Sequence, residues 1–230
     1  MTSWYRVAAN SLLLALAGGG CSKSGRAPAE TDAPRIWLID NTRSIGAQTP
    51  TVLGAPTVTP LAIGPALCFD GSDDGLVFEK NPLEGRSAFT VEVLFRPDSA
   101  GPSAQRFVHI QETGSDNRAL IETRVEADGF YLDTFLASNG NKVTLADAKL
   151  RHPTAAFHWA ALSYADGTMR QYLDGIEELS GSLPFAPLGA GRMALGVRLN
   201  RQYWFKGCIR ELRIAPRALA ASELQKITPP

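Results

Sequence analysis

Residues 89–96 read FTVEVLFR, and this stretch has the most regular alternation in the chain. Every second residue from Phe89 to Phe95 is apolar, whereas Thr90, Glu92 and Arg96 fall between the apolar positions or just after them. Side chains of a β-strand point alternately to its two faces, so a period of two predicts a strand with one face in an apolar core. We expect the other face to be solvated, and Glu92 with it.

Similar short segments occur on both sides of this stretch, at 106–112, 119–125, 130–136, 157–164, 169–173 and 208–215. Turn dipeptides that accept positive φ angles separate them: Asp70-Gly71, Asp74-Gly75, Asp128-Gly129, Asn139-Gly140, Asp166-Gly167 and Asp174-Gly175. Strands at this spacing, without a long helical pattern between them, predict an all-β fold, an antiparallel β-sandwich. Only residues 220–226 predict a short helix, near the C-terminal end.

Length and composition limit the classes of protein. The chain has 230 residues, 44% of them apolar, and 23 basic residues balance 23 acidic ones. A nucleic-acid-binding protein needs a basic surplus and a disordered chain has few apolar residues, so both classes are excluded. No run of about 20 apolar residues occurs that could span a bilayer as a helix. The length fits one folded domain.

The N-terminal residues have the pattern of an export signal. Arg6 precedes an apolar run over residues 7–17, and three glycines then lead to Cys21. Cleavage after Ala15-Leu16-Ala17 would suit ordinary signal peptidase, whereas Gly20-Cys21 resembles a bacterial lipobox, with Gly18 where that motif usually has Leu. We predict a signal peptide with lipobox over 1–21, lipidation of Cys21, a polar linker over 22–34 and a folded domain over 35–228. The expected location is the bacterial cell envelope, lipid-anchored; secretion is the alternative.

Three segments resemble a known family. Residues 66–74, ALCFDGSDD, are similar to the "ALxFDGxxDY" opening of laminin G-like domains in the concanavalin A-like lectin/glucanase superfamily. Residues 157–162, FHWAAL, with 172–175, YLDG, resemble its "W-H-x-A-L…Y-x-D-G" hairpin. Residues 205–214, FKGCIRELRI, with Arg217-Ala218-Leu219 and Ser222-Glu223-Leu224, resemble "FxGxIDEVRIYNRALSxxEI". The resemblance implies a jelly roll of two curved antiparallel sheets that recognises carbohydrate or protein ligands.

The three cysteines are Cys21, Cys68 and Cys208. If Cys21 carries lipid, an even pair remains in an oxidising compartment, and Cys68 and Cys208 are then either a disulfide or two buried thiols. In the family the first segment and the last strand lie side by side, so the resemblance implies that these two cysteines are neighbours.

The sequence has no pattern that indicates catalysis. Retaining glycosidases need two carboxyl groups about 5 Å apart, which on this fold lie on one strand, and no Glu-x-Asp-x-x-Glu or shorter form occurs. Glu177 and Glu178 are adjacent and would point to opposite faces, while Glu126 and Asp128 flank a turn. His109, His152 and His158 have no Ser or Asp partner at motif spacing, and no metal-binding His or Cys pattern occurs. We therefore predict a protein that is not an enzyme, with a diverged glycoside hydrolase as the less favoured alternative.

A calcium site is the one cofactor that the sequence suggests, and otherwise no cofactor is expected. Asp70, Asp73 and Asp74 form an acidic turn, and the resemblance implies that Glu211 lies on the strand beside it. Arg210 stands where the family has an acidic residue and could instead pair with Asp70.

Candidate ligand-binding residues lie just before the last strand, where Asn200, Arg201, Tyr203 and Trp204 combine aromatic and planar polar groups suited to sugars. Trp204 could instead pack against the sheet rim. The predicted function is an exported binding module for carbohydrate or a surface protein, held to the membrane by its lipid, without nucleic-acid binding. A structural component of the cell envelope is the alternative.

Overall fold

The computed structural model describes Met1 and residues 32–227. The predicted signal peptide, the lipidation site at Cys21 and the linker up to residue 31 lie outside the described residues. The first strand begins at Arg35. None of the residues described forms a helix able to span a bilayer.

Fifteen strands build the domain. Their bounds are β1 Arg35–Leu38, β2 Thr51–Leu53, β3 Thr57–Thr59, β4 Ala66–Asp70, β5 Gly75–Phe78, β6 Phe89–Pro97, β7 Ala104–Glu112, β8 Arg118–Glu126, β9 Gly129–Ser138, β10 Asn141–Ala146, β11 His158–Ala165, β12 Thr168–Leu173, β13 Ile176–Ser182, β14 Gly191–Leu195 and β15 Lys206–Ala215. One sheet has eight strands in the order β13-β12-β11-β6-β15-β4-β3, with β1 also paired to β15, and the other has seven in the order β10-β9-β8-β7-β14-β5-β2. Every pairing is antiparallel, so the predicted β-sandwich is confirmed and the arrangement is consistent with a jelly roll.

The core lies between the two sheets and is rich in phenylalanine. Phe95 of the eight-stranded sheet stacks on Phe107 of the seven-stranded sheet, with ring centroids 4.4 Å apart. Phe130 meets Phe95 edge-on at 5.6 Å, and Phe205 lies 5.1 Å from Phe107. All four rings are fully buried. Burying a side chain of this size contributes roughly 1.5–3 kcal/mol each, which fixes the two sheets face to face.

The predicted turn dipeptides form hairpin turns where the two strands they connect are neighbours in one sheet. Asn139-Gly140, Asp166-Gly167 and Asp174-Gly175 all have φ between 49° and 79° at both residues, as tight hairpins require. The turn from Asp70 to Gly75 differs because β4 and β5 lie in different sheets. It is a crossing between layers and not a hairpin.

Two expectations are wrong at the C-terminal end, for one reason. Residues 220–226 form a single turn and no helix. Leu219 and Leu224 are both buried in a small cluster with Tyr172 on the eight-stranded sheet. A helix over 220–226 would bond the Gln225 N–H to the carbonyl four residues earlier, but that N–H donates to Glu92 Oε1 at 2.7 Å instead.

The same segment covers Glu92, which was expected to be solvated and is 1% exposed. Its Oε1 accepts the N–H of Gln225 at 2.7 Å, and the Thr90 hydroxyl donates to the carbonyl of Arg217 at 2.9 Å. The alternation of β6 holds, but Thr90 and Glu92 on its outer face are also buried because the chain returns across them.

The disulfide between Cys68 and Cys208 is confirmed. The two residues lie directly opposite each other where β4 pairs with β15, and their Cα atoms are 4.0 Å apart. The bond closes a loop over a sequence separation of 140 residues.

Replacing Cys68 and Cys208 with alanine should lower the free energy of unfolding by about 2–5 kcal/mol, because the unfolded chain regains the freedom of that loop. Urea denaturation measures the change, with Cys21→Ser as the shared background so that lipid chemistry cannot contribute. Two reactive thiols in the denatured, unreduced Cys21→Ser protein would contradict the bond.

Candidate functional site

The acidic turn after β4 brings three carboxylates together. Carboxylate oxygens of Asp70, Asp73 and Asp74 lie within 4.8 Å of one another. Asp70 Oδ1 accepts the N–H groups of the three residues that follow Gly71, the shortest at 2.8 Å from Ser72. These bonds lower the pKa of Asp70, whereas burial raises the pKa of Asp74. The turn therefore already uses its carboxylates to bind its own backbone.

Glu211 does not reach this turn. The register places Lys206 opposite Asp70, and Glu211 lies five residues further along β15, paired with Leu38 and Leu94. Arg210 does not pair with Asp70 either, because it is the extra residue of a β-bulge between β15 and β6. The structure thus assembles three of the four predicted ligands, and calcium at the turn stays a prediction.

The predicted ligand-binding loop connects β14 to β15. Its base is closed by the Phe205 N–H, which donates to the Gly196 carbonyl at 2.8 Å. Tyr203 is 43% exposed, and the Arg106 guanidinium carbon lies 3.5 Å from its ring centroid. Asn200 and Arg201 are exposed and Trp204 is half-buried. The loop therefore lies beside β7, with one aromatic ring stacked on a strand arginine.

Next to this loop, the outer face of the seven-stranded sheet has a cleft of about 190 Å³, which we call the arginine cleft. Alternate residues of the central strands line it, since their neighbours in sequence point into the core. The lining comprises four arginines (Arg106, Arg118, Arg124 and Arg198), two carboxylates (Glu122 and Asp133), Leu120, Thr144 and the ring of Phe135.

The carboxylates of the arginine cleft are held by two of its arginines. Glu122 and Asp133 are directly opposite each other on β8 and β9. Arg124 Nε donates to Asp133 Oδ2 at 2.7 Å, and its Nη2 lies 3.5 Å from Glu122 Oε2. Arg106 Nε lies 3.0 Å from Glu122 Oε1. Burial raises the pKa of Glu122 to about 7, since desolvation and the charge of Asp133 outweigh the two arginines.

Sequence reasoning missed this site because its residues come from separate strands. The alternation over residues 118–126 places Arg118, Glu122 and Arg124 on one face and was visible in the sequence. The pairing of Glu122 with Asp133 depends on the register between β8 and β9, which no motif records.

Two histidines have carboxylate partners that the spacing of residues in the sequence did not indicate. His158 Nδ1 lies 2.8 Å from Asp174 Oδ2, and its Nε2 donates to the Pro153 carbonyl at 3.0 Å. His152 Nε2 lies 2.6 Å from Glu178 Oε1. His158 is therefore a hydrogen-bonded strand residue, as expected. Among the residues described, no serine is hydrogen-bonded to either histidine.

A second, larger groove of about 400 Å³ crosses the outer face of the eight-stranded sheet beside the disulfide. Its one aromatic lining residue is Phe69, which is buried, so this groove offers no exposed ring. Arg96 lies over the disulfide, with Nη2 3.5 Å from Cys208 Sγ. We consider the arginine cleft a stronger candidate ligand site than this groove, because the ring of Phe135 lies in the cleft and the ring of Tyr203 lies at its border.

A laminin G-type family model, described as the concanavalin A-like lectin/glucanases superfamily, matches residues 70–225. The chain belongs to this superfamily. Its jelly-roll domain is lectin-like, and this fold commonly serves as a binding module. A comparison with curated proteins finds no significant match.

Several solved structures share the fold of this superfamily member. Domain 4 of AbnA, a GH43 extracellular arabinanase from Geobacillus stearothermophilus in complex with arabinotriose, is 22% identical over 83% of this chain and 97% of that one, with a TM-score of 0.62. The binding domain of botulinum neurotoxin DC in complex with SialylT is 10% identical over 84% of this chain, with a TM-score of 0.60, and this chain spans 49% of it. A SAP-like pentraxin from Limulus polyphemus is 17% identical over 67% and 76%, with a TM-score of 0.54.

The raised pKa of Glu122 predicts a pH dependence of stability. Between the ordinary pKa of 4.5 and the folded value of about 7, the folded state keeps a proton that the unfolded state has lost. Glu122 should therefore stabilise the fold fully below pH 4.5 and lose on the order of 3 kcal/mol of that contribution as the pH rises to 7.

Urea denaturation from pH 4 to 8 tests this prediction, with Glu122→Gln expected to remove that part of the pH dependence. The exposed Glu84→Gln is the matched control and should keep the wild-type profile. A Glu122→Gln profile parallel to that of the wild type would rule the assignment out.

Proposed function

We propose that this protein is an exported binding module that recognises carbohydrate in the arginine cleft. The observation that carries the proposal is the combination of Phe135 in the cleft and Tyr203 at its border with four planar guanidinium groups. Aromatic faces stack on the apolar face of a sugar ring, and arginines donate paired hydrogen bonds. Because central strands hold most of these groups, the surface is set before a ligand arrives.

Similar structures support a sugar ligand. The arabinanase domain is described in complex with arabinotriose, and the neurotoxin binding domain in complex with SialylT. Their sequence identity to this chain is low, so they support the class of ligand and do not indicate which sugar is bound.

We infer binding without hydrolysis from the state of the two carboxylates. Asp133 accepts two hydrogen bonds from Arg124, and Glu122 lies against Arg106. A carboxylate engaged in this way is a poor nucleophile, because attack on the sugar would break its ion pairs. In a retaining glycosidase one of the two carboxylates is the nucleophile of that step.

Replacing Phe135 with alanine should weaken saccharide binding at least tenfold, because the stacking surface in the cleft is lost. A glycan array followed by calorimetry on the retained sugar measures the loss. Trp204→Ala is the matched control, since it removes an aromatic ring outside the cleft lining.

A loss in Trp204→Ala and not in Phe135→Ala would move the site to the loop of Asn200, Arg201 and Tyr203. Failure of the wild type to retain any saccharide would favour a protein partner or a structural role in the cell envelope.

We also propose that Cys21 anchors the module to a membrane. Mass spectrometry of the exported protein should find acyl chains on Cys21, each buried methylene contributing about 0.8 kcal/mol to membrane binding. Cys21→Ser should release the protein into the soluble fraction. A mature N-terminus at Gly18 without lipid would instead establish plain secretion.

A further inference from the structure

The arginine cleft has more positive charge than its own carboxylates can neutralise. Four arginines line it against Glu122 and Asp133, an excess of two positive charges (4 − 2) when both carboxylates are ionised and of more when Glu122 is protonated. The chain as a whole is balanced, with 23 basic and 23 acidic residues, so the excess is a local feature.

The excess belongs to Arg118 and Arg198. Arg106 and Arg124 lie against the two carboxylates. Arg118 has an acidic contact only with Asp116, at 3.6 Å, and that carboxylate is fully solvated, with its side chain 101% exposed. Such a contact is screened by water and contributes little. Among residues 32–227, the Arg198 side chain makes no ion pair or hydrogen bond.

The two arginines also repel each other. Burial lowers the pKa of Arg118, and the charge of Arg198 lowers it further. The pKa of His109, beneath them, falls to about 3 through burial and the charges of Arg198, Arg118 and Arg106. His109 is therefore neutral and accepts the Leu199 N–H on Nδ1 at 2.9 Å, so it adds no charge to the cleft. Holding two cations together without a counterion costs free energy, and an anion between them would recover it.

We propose that the arginine cleft takes a saccharide that carries an oxyanion, with its carboxylate or sulfate group held by Arg118 and Arg198. This inference rests on the proposed function and narrows its ligand class. A guanidinium donates two parallel hydrogen bonds to either group, and the Arg118 guanidinium carbon lies 4.6 Å from the centroid of the Phe135 ring, so a sugar held by Arg118 would lie beside that ring. The volume of about 190 Å³ is below the roughly 300 Å³ of common ligand pockets, which fits one charged sugar unit of a longer chain.

The test uses the full-length protein and pairs of probes that differ only in charge. Polygalacturonate is compared with its methyl ester, and dextran sulfate with dextran, so that carboxylate and sulfate are tested separately. We expect at least one charged probe to bind tenfold or more tightly than its neutral partner, and its affinity to fall as salt is raised.

Arg198→Ala should abolish that charge preference, and Arg198→Lys should restore part of it, because Lys keeps the charge and loses the two-pronged geometry. Arg192→Ala is the matched control: it removes one exposed arginine from the neighbouring strand β14, outside the cleft lining, and should bind as the wild type does. Circular dichroism checks that each variant is folded.

The outcomes separate the two proposals. Equal binding of charged and neutral probes, unaffected by Arg198→Ala but lost in Phe135→Ala, would overturn this inference and leave the carbohydrate module standing. A charge preference that Arg192→Ala removes as fully as Arg198→Ala would also overturn it, since the attraction would then be a property of the whole surface. Binding of no saccharide, charged or neutral, would overturn the proposed function itself.

Discussion

The contact between the two sheets is the interaction on which the rest of the structure depends. Phe95 and Phe107 stack across the interface, and Phe130 and Phe205 close around them. Because Phe205 lies far along the chain from the other three rings, burying them together holds distant segments against each other. The outer faces of both sheets are then free to carry different chemistry: a disulfide groove on one and the arginine cleft on the other.

The arginine cleft shows how a sheet tolerates two acids placed side by side. Like charges directly opposite each other on adjacent strands are destabilising, and burial adds to this cost. Here Arg124 reaches from its own strand to both carboxylates, and Arg106 supports Glu122 from the other side. This arrangement leaves Arg118 and Arg198 without an equivalent partner, and the anion site that we propose rests on this inequality.

Local features of the fold could be predicted from the sequence, and features that depend on register could not. Strands and hairpins are determined over a few residues, so they could be predicted. The strand follows from the alternation of residues 89–96, and the hairpins follow from the dipeptides Asn139-Gly140, Asp166-Gly167 and Asp174-Gly175. The pairing of Cys68 with Cys208 followed from a family resemblance and not from spacing. Glu92 was misjudged because its cover comes from Gln225, more than a hundred residues away. The opposition of Glu122 and Asp133 likewise exists only once β8 and β9 are aligned.

The position of β15 has a consequence for how the molecule is made. Strand β15, the last one within the described residues, lies in the middle of the eight-stranded sheet, between β6 on one side and β4 and β1 on the other. The sheet cannot close until β15 has been synthesised, so β4 and β6 each keep one unpaired edge during translation. Topologies with such distant pairings reach the native state in milliseconds to seconds. Until β15 pairs, the unpaired edges and exposed apolar faces make the nascent chain prone to aggregation.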